Sequence, residues 1–213
     1  MSKNIIKLYY FDTRGRAEFI RLILAAANRS YNDIRIDYSQ WFDYKPKMLI
    51  GQIPVLELAD KIQLTQSLSI ARYIAREANL GGKNNLESAK MDAVVDTQRD
   101  MNETLYNLID FEKQDFKDMK KVEKFINEDL AKHCDNLSKL KNAYSKKGQY
   151  FVGDALSWAD LFVYNSIDDL FRFLPQVKDK FDNQFKGLFN TIHSIDNIKK
   201  YLDHRPKVAY RFG

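Results

Sequence analysis

Two short stretches in the N-terminal part of the chain carry residues suited to holding a small peptide. Pro54 opens an apolar run and donates no backbone hydrogen bond, so the Ile53–Pro54 bond is expected at a sharp turn, cis or trans, that leaves the backbone of Ile53 facing a ligand. Ser67 follows Gln66 where a helix N-cap is expected, and free amides at a helix start bind carboxylates. The two stretches predict a loop and a helix start with a small peptide between them.

Tyr10 is a second candidate for chemistry, at the end of an apolar run over residues 5–10. Side chains alternate between the faces of a strand, so only one of Tyr9 and Tyr10 can face a site. A tyrosine hydroxyl that donates to a thiol sulfur favours the thiolate and lowers the thiol pKa, and each pKa unit corresponds to about 1.4 kcal/mol. A tyrosine in this place is equally compatible with an amphipathic wall residue.

The elements that position these residues alternate between strand and helix patterns over residues 1–80. A strand, a crossover helix and a second strand run parallel, whereas the tight Ala59-Asp60 turn makes the later pair antiparallel. The order is βαβ-ββα, a thioredoxin-like α/β domain. The predicted elements are strands at residues 5–10, 31–37, 55–58 and 61–64, helices at residues 15–28 and 68–77, and a loop at residues 38–52.

A glycine- and asparagine-rich stretch over residues 81–85 predicts a linker, because it ends the preceding helix and interrupts periodicity. Residues 86–213 then form an all-α helical-bundle C-terminal domain, since strand patterning disappears there. Ser157 and Asp160 are placed as an N-cap and a short acidic variant of a capping box, which serves folding. Helical spacing covers residues 86–116, 120–144 and 157–173.

Composition excludes several classes of protein. The net charge is +5, but lysines alternate with acids as on a solvated helix face, so no nucleic-acid partner is expected. No segment approaches about 18 uncharged apolar residues, so no membrane span is expected, and no leader segment precedes the first strand. The single Cys134 suits a reducing, cytoplasmic location, and His133, His193 and His204 share no metal-ligand spacing with it.

The combination and order of the motifs resemble the cytosolic glutathione transferases. The motifs are Tyr10, Arg14-Gly15-Arg16-Ala17-Glu18, Ile53-Pro54-Val55-Leu56, Gln66-Ser67 and Ser157-Trp158-Ala159-Asp160. The greatest similarity is to the sigma class, which includes glutathione-dependent prostaglandin D synthase. The resemblance implies the same thioredoxin-like fold with a helical second domain, and a transferase that conjugates reduced glutathione to hydrophobic electrophiles.

The resemblance also implies roles for individual residues. Tyr10 would stabilise the glutathione thiolate, with Arg16 as a nearby cation. Gln52 stands where sigma relatives often carry lysine, which implies that one ionic contact is missing. The implied glutathione-binding residues are Tyr10, Trp41, Lys45, Gln52, Ile53, Pro54, Gln66, Ser67 and Asp100.

Asp100 matches the family aspartate that reaches the γ-glutamyl ammonium of the neighbouring subunit's glutathione, which implies a homodimer. Arg72 and Arg76 are expected to meet acids of the partner. Arg99 replaces the acid that helps form a divalent-ion site in the prostaglandin synthase, so no metal is expected. The residues placed to line a second-substrate pocket are Phe11, Thr13, Met101, Leu105 and Phe212, for which plain core positions are the alternative.

Three other functions are alternatives to the transferase on the sequence. A glutathione-dependent isomerase or peroxidase would use the same site with a different pocket, although Asn107 replaces a tryptophan of the prostaglandin synthase. A non-catalytic crystallin-like or ligand-binding protein would keep the fold alone. A thioredoxin-like redox enzyme is excluded, because residues 10–13 at the first strand–helix turn contain no cysteine.

Overall fold

A computed structural model describes residues 5–207 and residue 212 of the chain. The described residues form six strands and nine α-helices. In chain order these are β1 (Ile6–Phe11), α1 (Glu18–Ala26), β2 (Tyr31–Ile36), α2 (Trp41–Tyr44), β3 (Val55–Glu57), β4 (Gln63–Thr65), α3 (Ser67–Glu77), α4 (Asn85–Asn107), β5 (Ile109–Asp110), β6 (Asp115–Phe116), α5 (Met119–Lys124), α6 (Leu130–Tyr144), α7 (Trp158–Phe173), α8 (Lys178–His193) and α9 (Asp196–His204).

The chain divides into two compact units. Among the described residues, the first unit comprises 5–78 and 196–207, and the second comprises 79–195 and 212. Helix α9 therefore groups with the first unit, where it packs against α1. The predicted domain boundaries at residues 80 and 86 remain predictions, and residues 1–4, 208–211 and 213 of those domains lie outside the described part.

The first unit has the predicted βαβ-ββα order around a four-stranded sheet, β2-β1-β3-β4. Strand β1 runs parallel to β2 and antiparallel to β3, and β3 runs antiparallel to β4. Helices α1 and α3 pack together, and their apolar faces are fully buried at Ile20, Ile23, Ile70 and Ile74. The predicted thioredoxin-like α/β fold is confirmed.

The predicted loop over residues 38–52 is wrong in its first two thirds, which is helical. A 3-10 turn at Tyr38–Gln40, helix α2 and a second 3-10 turn at Lys45–Lys47 follow one another. Asp37 begins the series, because its Oδ1 accepts from the backbone N–H of Ser39 at 2.8 Å and its own N–H donates to Gln40 Oε1 at 3.2 Å. These local side-chain caps favour turns that hydrophobic periodicity does not detect.

The second unit is helical, and its helix α7 is buried along nearly its whole length. The predicted capping box is present at its start. Asp160 Oδ2 accepts from the backbone N–H of Ser157 at 2.9 Å, and Asp160 Oδ1 accepts from the N–H of Phe151 at 2.7 Å. The carboxylate therefore joins the helix start to the loop before it.

The predicted helix over residues 86–116 is wrong beyond Asn107, where α4 ends and the β5–β6 hairpin begins. Asp110 Oδ1 accepts from the backbone N–H groups of Glu112 and Lys113 at 3.2 and 3.1 Å, and Gln114 has a φ of +54°. These contacts stabilise a turn in place of another helical turn. The predicted helix over residues 120–144 is interrupted by a π-helical turn at Phe125–Asp129.

Candidate functional site

The hydroxyl of Tyr10 is the centre of the candidate site. Tyr10 lies on β1, buried at 8% relative exposure, and its Oη accepts a hydrogen bond from the backbone N–H of Arg16 at 3.0 Å. Tyr9 points to the other face, where its hydroxyl donates to Glu57 Oε2 at 3.5 Å. A phenol that accepts one hydrogen bond keeps its own proton for donation.

Electrostatics keep the Tyr10 hydroxyl protonated. Burial raises the pKa of Tyr10 above its usual value, although the Arg16 amide and the positive charge of Arg16 act in the opposite direction. Tyr38 also interacts with Tyr10 electrostatically and adds to the rise. At neutral pH the group is therefore a neutral donor, suited to stabilising an anion placed against it.

Six of the candidate residues line one cleft of the first unit. The cleft has a volume of ≈ 290 Å³, including solvent at its mouth. The Ile53–Pro54 bond is cis, and Gln66 holds a φ of +67° just before α3. The structure corrects the expected position of Ser67, which is the first residue of α3, while Gln66 is the N-cap. The cleft is lined by Arg16, Ile50, Gln52, Ile53, Pro54, Thr65, Gln66 and Ser67.

Trp41 and Lys45 lie on the helical segment after β2. The Trp41 ring packs edge-on against Phe11, with centroids 5.4 Å apart. A Cβ atom added at Gly51 would lie 3.6 Å from Lys45 Cγ, so the Lys45 side chain runs beside the turn that leads to Gln52 and Ile53. An ammonium in this region suits a carboxylate ligand.

Family comparisons identify the chain that carries this site. Residues 6–76 match the family "Glutathione S-transferase, N-terminal domain", and residues 99–205 match "Glutathione S-transferase, C-terminal domain". The chain belongs to the glutathione S-transferase family. The enzyme class implied by the sequence motifs is thereby confirmed.

Three relatives illustrate the range of proteins similar to this glutathione S-transferase. Glutathione S-transferase 4 of Caenorhabditis elegans is 35% identical over 93% of this chain and 96% of its own. S-crystallin 4 of Enteroctopus dofleini is 34% identical over 95% and 98%. The structure of rat hPGDS, a prostaglandin D synthase, complexed with a quinoline has a TM-score of 0.80 at 30% identity, covering 95% of this chain and 98% of that one.

The predicted second-substrate residues divide between the two units. In the first unit, Phe11 is half-buried and Thr13 is buried. In the second, Met101 and Leu105 are buried on α4, and Phe212 packs edge-on against Phe116 and Phe173 with centroids 5.1 and 5.0 Å apart. Each position is compatible with core packing as well as with a pocket, so this set remains a prediction.

Asp100 is exposed on α4, and its Oδ1 lies 3.8 Å from Arg99 Nη2 on the solvent side of the second unit.

Cys134 is buried, and burial raises the pKa of its thiol to about 12. Among residues 5–207 and 212, no group of three or more His, Cys, Asp or Glu side chains is arranged to hold a metal ion. No helix within the same residues is long and apolar enough to cross a membrane.

Two groups near Tyr10 were not found from the sequence. Tyr38 stacks on Phe11, and Arg21 donates to the backbone oxygen of Thr13 at 2.9 Å from inside the first unit. The capped turn at Tyr38 had a local signal in Asp37 and Gln40, three residues apart. Arg21 had no local sequence signal, because a buried arginine on an amphipathic helix cannot be distinguished from an exposed arginine until its carboxylate partners are known.

Gly15 brings the backbone close to the reactive hydroxyl and is the basis of a testable prediction. Its φ is +38°, and an added Cβ would lie 2.7 Å from Tyr10 Oη. Gly15→Ala is therefore expected to displace the hydroxyl, lowering the conjugation rate about tenfold, and to destabilise the fold by about 1–3 kcal/mol. Steady-state kinetics and urea unfolding measure the two effects.

Gly148→Ala is the matched control for Gly15→Ala. Gly148 has a φ of +72°, and an added Cβ would have no atom within 4 Å. The control variant carries backbone strain without a clash, so it is expected to lose stability and keep full activity. Equal activities of the two alanine variants would contradict the contact between position 15 and Tyr10.

Proposed function

We propose that this glutathione S-transferase conjugates reduced glutathione to hydrophobic electrophiles and that Tyr10 stabilises the glutathione thiolate. The observation that carries the proposal is the buried Tyr10 hydroxyl, which accepts from the Arg16 N–H at 3.0 Å and keeps its proton. The hydroxyl therefore donates a hydrogen bond to the glutathione sulfur without losing its proton. A free thiol of pKa about 8.5 is mostly protonated at neutral pH, so the hydrogen bond increases the fraction of nucleophile.

The reaction requires no oxidant or reductant. With a chlorodinitrobenzene acceptor, the thiolate sulfur forms a bond to the ring carbon, the carbon–chlorine bond breaks, and chloride leaves with the electron pair. The thiol proton passes to solvent. Tyr10 donates its hydrogen bond throughout and is unchanged at the end, and the positive charge of Arg16, which lines the cleft, also favours the anion.

Glutathione is assigned to the cleft from the chemistry of its lining. Gln66 and Ser67 hold the γ-glutamyl carboxylate at the start of α3, where backbone amides and the helix dipole favour an anion. Ile53, which lines the cleft beside Pro54, pairs its backbone with the cysteinyl unit in the manner of an added strand. Gln52 lies beside it, and Trp41 and Lys45 hold the glycyl end.

The class, assembly and location of the protein are part of the proposal. The order of motifs and the similarity to hPGDS and to an S-crystallin support the sigma class. A homodimer is proposed in which the exposed Asp100 reaches the glutathione of the partner subunit, with Arg72 and Arg76 at the interface. The single cysteine supports a cytoplasmic location, and no metal is assigned to the reaction.

Two alternatives share the fold. A glutathione-dependent isomerase or peroxidase would use Tyr10 in the same way, and the similarity to hPGDS favours considering it. The similarity to S-crystallin 4 supports a second alternative, a non-catalytic crystallin-like protein. A shared fold does not by itself imply a shared activity. The retained Tyr10 hydroxyl and the open cleft next to Ser67 support the transferase.

The experiment that tests the function measures glutathione binding calorimetrically and conjugation with chlorodinitrobenzene spectrophotometrically. The expected result is binding, turnover, and a bound thiol whose pKa lies at least about one unit below that of the free thiol, followed by thiolate absorbance. Binding without turnover of this acceptor or of other electrophiles, but with turnover of an organic hydroperoxide or a prostaglandin endoperoxide, would favour the first alternative. Absence of glutathione binding would favour the crystallin-like protein.

A further inference from the structure

The second unit contains a cleft of its own, which we call the α4 cleft. It lies between residues 79–91, which lead into α4, and residues 152–156, which precede α7. Its volume is ≈ 450 Å³, including solvent at its mouth, against ≈ 290 Å³ for the cleft in the first unit. The backbone N–H of Trp158 donates to the Leu80 oxygen at 3.0 Å and ties the two walls together. The α4 cleft is therefore a preformed feature of one unit.

The interior of the α4 cleft is apolar. Met91 and Val152 are buried at 5% and 2% relative exposure, and Leu80 and Leu156 line the same cleft half-buried. All four side chains are aliphatic chains or a thioether, which adapt to an alkyl group without specific geometry. A short alkyl chain laid on this surface is removed from water, and its burial favours binding.

The charged groups of the α4 cleft leave a negative charge in excess. Lys83 Nζ lies 3.0 Å from Asp154 Oδ1, and this exposed pair joins the two walls. Glu87 Oε2 accepts from the backbone N–H of Lys83 at 2.9 Å. Lys146 also acts on Asp154, from outside the lining. Because one lining ammonium faces two lining carboxylates, the cleft favours a cationic ligand.

The second carboxylate oxygen of Glu87 is the atom that points to a ligand. Within the described part of the chain, Glu87 Oε1 accepts no hydrogen bond, in contrast to Oε2. A Cβ atom added at Gly153 on the opposite wall would lie 3.7 Å from Oε1, so Oε1 faces across the cleft. A half-buried carboxylate oxygen in this position is suited to accept a charge-assisted hydrogen bond from an ammonium.

We propose that the α4 cleft binds small primary alkylamines, with the ammonium at Glu87 and the alkyl chain on Met91 and Val152. An alkyl carboxylate meets the excess negative charge, and an alcohol lacks the ionic contact, so the amine is the class that suits both parts of the lining. The α4 cleft shares no lining residue with the cleft assigned to glutathione, so this inference is independent of the proposed function.

Calorimetric titration with n-hexylamine, hexanol and hexanoate tests the site. Hexylamine is expected to bind with a Kd of about 1 mM or tighter, and the other two probes at least about fivefold more weakly. Saturating glutathione should leave the affinity for hexylamine unchanged, because the two clefts have different lining residues. Absence of hexylamine binding, equal binding of the three probes, or displacement of hexylamine by glutathione would each overturn the proposal.

Two variants are expected to change the affinity for hexylamine in opposite directions. Glu87→Gln removes the charge but keeps a carbonyl oxygen for the Lys83 N–H, and it should weaken hexylamine binding about five- to twentyfold. Lys83→Met removes the competing cation and should strengthen binding about two- to fivefold. A folding defect weakens binding in every variant, so it cannot produce this pair of results. An affinity that Glu87→Gln leaves unchanged would overturn the assignment.

Asp135→Asn is the matched control for Glu87→Gln. Asp135 is an exposed carboxylate that pairs with Lys139 on α6, and it does not line the α4 cleft. The control variant loses the same charge from the protein and is expected to bind hexylamine as the unmodified protein does. If Asp135→Asn weakened binding as much as Glu87→Gln, hexylamine would respond to net charge alone, and the assignment to the α4 cleft would be wrong.

Discussion

Replacing Tyr10 by Phe is expected to lower kcat/KM for chlorodinitrobenzene about 10- to 100-fold at pH about 6.5. The variant keeps the buried ring but loses the hydroxyl that accepts from the Arg16 N–H at 3.0 Å and donates to the sulfur. A hydrogen bond to a charged group contributes about 1.5–3 kcal/mol, which sets the range. Glutathione affinity should change by less than about threefold, because other residues line the cleft that is assigned to the peptide.

The pH dependence identifies the cause of the loss. Without the hydroxyl the bound thiol keeps a pKa closer to the free value of about 8.5, so the rate of Tyr10→Phe should rise with pH over a higher range. The higher-pKa thiolate is also the better nucleophile, with a Brønsted slope of about 0.4–0.5, which offsets part of the loss. The two proteins should therefore differ most at low pH and converge near pH about 9.

Tyr9→Phe provides the matched control for this prediction. Tyr9 is the neighbouring residue on β1, but its hydroxyl contacts Glu57 on the opposite face. Its removal is expected to leave the pH–rate profile in place. If Tyr10→Phe lowered the rate by one factor at every pH, the hydroxyl would act on positioning rather than on thiol ionisation, and the proposed role would be wrong.

The parts of the fold that the sequence predicted correctly depend on short-range interactions. The strand that carries Tyr10 and the capping box at Ser157 and Asp160 each depend on fewer than ten neighbouring residues, so the apolar run and the cap chemistry reveal them. The turn at Ile53–Pro54 is of the same kind, because proline restricts the backbone whatever surrounds it. Ile53, Pro54, Gln66 and Ser67 of the first-unit cleft follow from such local features, whereas Arg16 and Gln52 were implied by the family resemblance.

The errors arose where a side chain competes with the expected pattern. Residues 108–116 include apolar side chains at helical spacing. Asp110 nevertheless accepts from two backbone amides of a turn, and the chain reverses there to form β5 and β6. Asp37 does the same at the start of the predicted loop. In both places a carboxylate satisfies backbone N–H groups locally, and hydrophobic periodicity contains no information on that.

The site also depends on contacts between residues far apart in sequence, which no pattern reveals. Tyr38 and Phe11 belong to different segments and meet only because β1 and β2 run side by side. Arg21 lies on α1 and meets Asp33 of β2, while Glu18 meets Tyr201 and Arg205 near the end of the chain. Such partners become visible only when the fold is known.

Arg21→Leu is expected to destabilise the protein by about 3–5 kcal/mol, because it breaks a buried charge network. The guanidinium is fully buried, and its Nε lies 3.1 Å from Asp33 Oδ2 while Nη1 lies 3.3 Å from Glu18 Oε2. Nη1 also donates to the backbone oxygen of Thr13 at 2.9 Å. Leucine fills part of the volume but removes the one guanidinium that these three acceptors share, and urea unfolding at a fixed protein concentration measures the loss.

The contribution of Glu18 to the free energy of unfolding depends on pH and gives an independent measure of the same network. Burial alone would raise the pKa of Glu18, but Arg21, Arg14 and Arg205 together hold it below its usual value. A carboxyl with a lowered folded-state pKa stabilises the protein above its unfolded value of about 4.3, and this contribution is lost as the pH falls through the folded-state pKa. The stability advantage of the unmodified protein over Glu18→Gln should therefore shrink on acidification below pH about 4.3.

Lys83→Met is the control for Arg21→Leu, because the Lys83–Asp154 pair is exposed and such pairs contribute at most about 1 kcal/mol. A loss in Arg21→Leu no larger than in the control would show that the buried network does not stabilise the fold.

Arg21→Leu is also expected to lower the conjugation rate. Arg21 holds the Thr13 carbonyl, and the segment from Thr13 leads to the Arg16 N–H that contacts Tyr10. At temperatures where Arg21→Leu remains folded, residues 13–16 should be less well ordered and the conjugation rate should therefore be lower. Lys83→Met should change neither the order of these residues nor the conjugation rate.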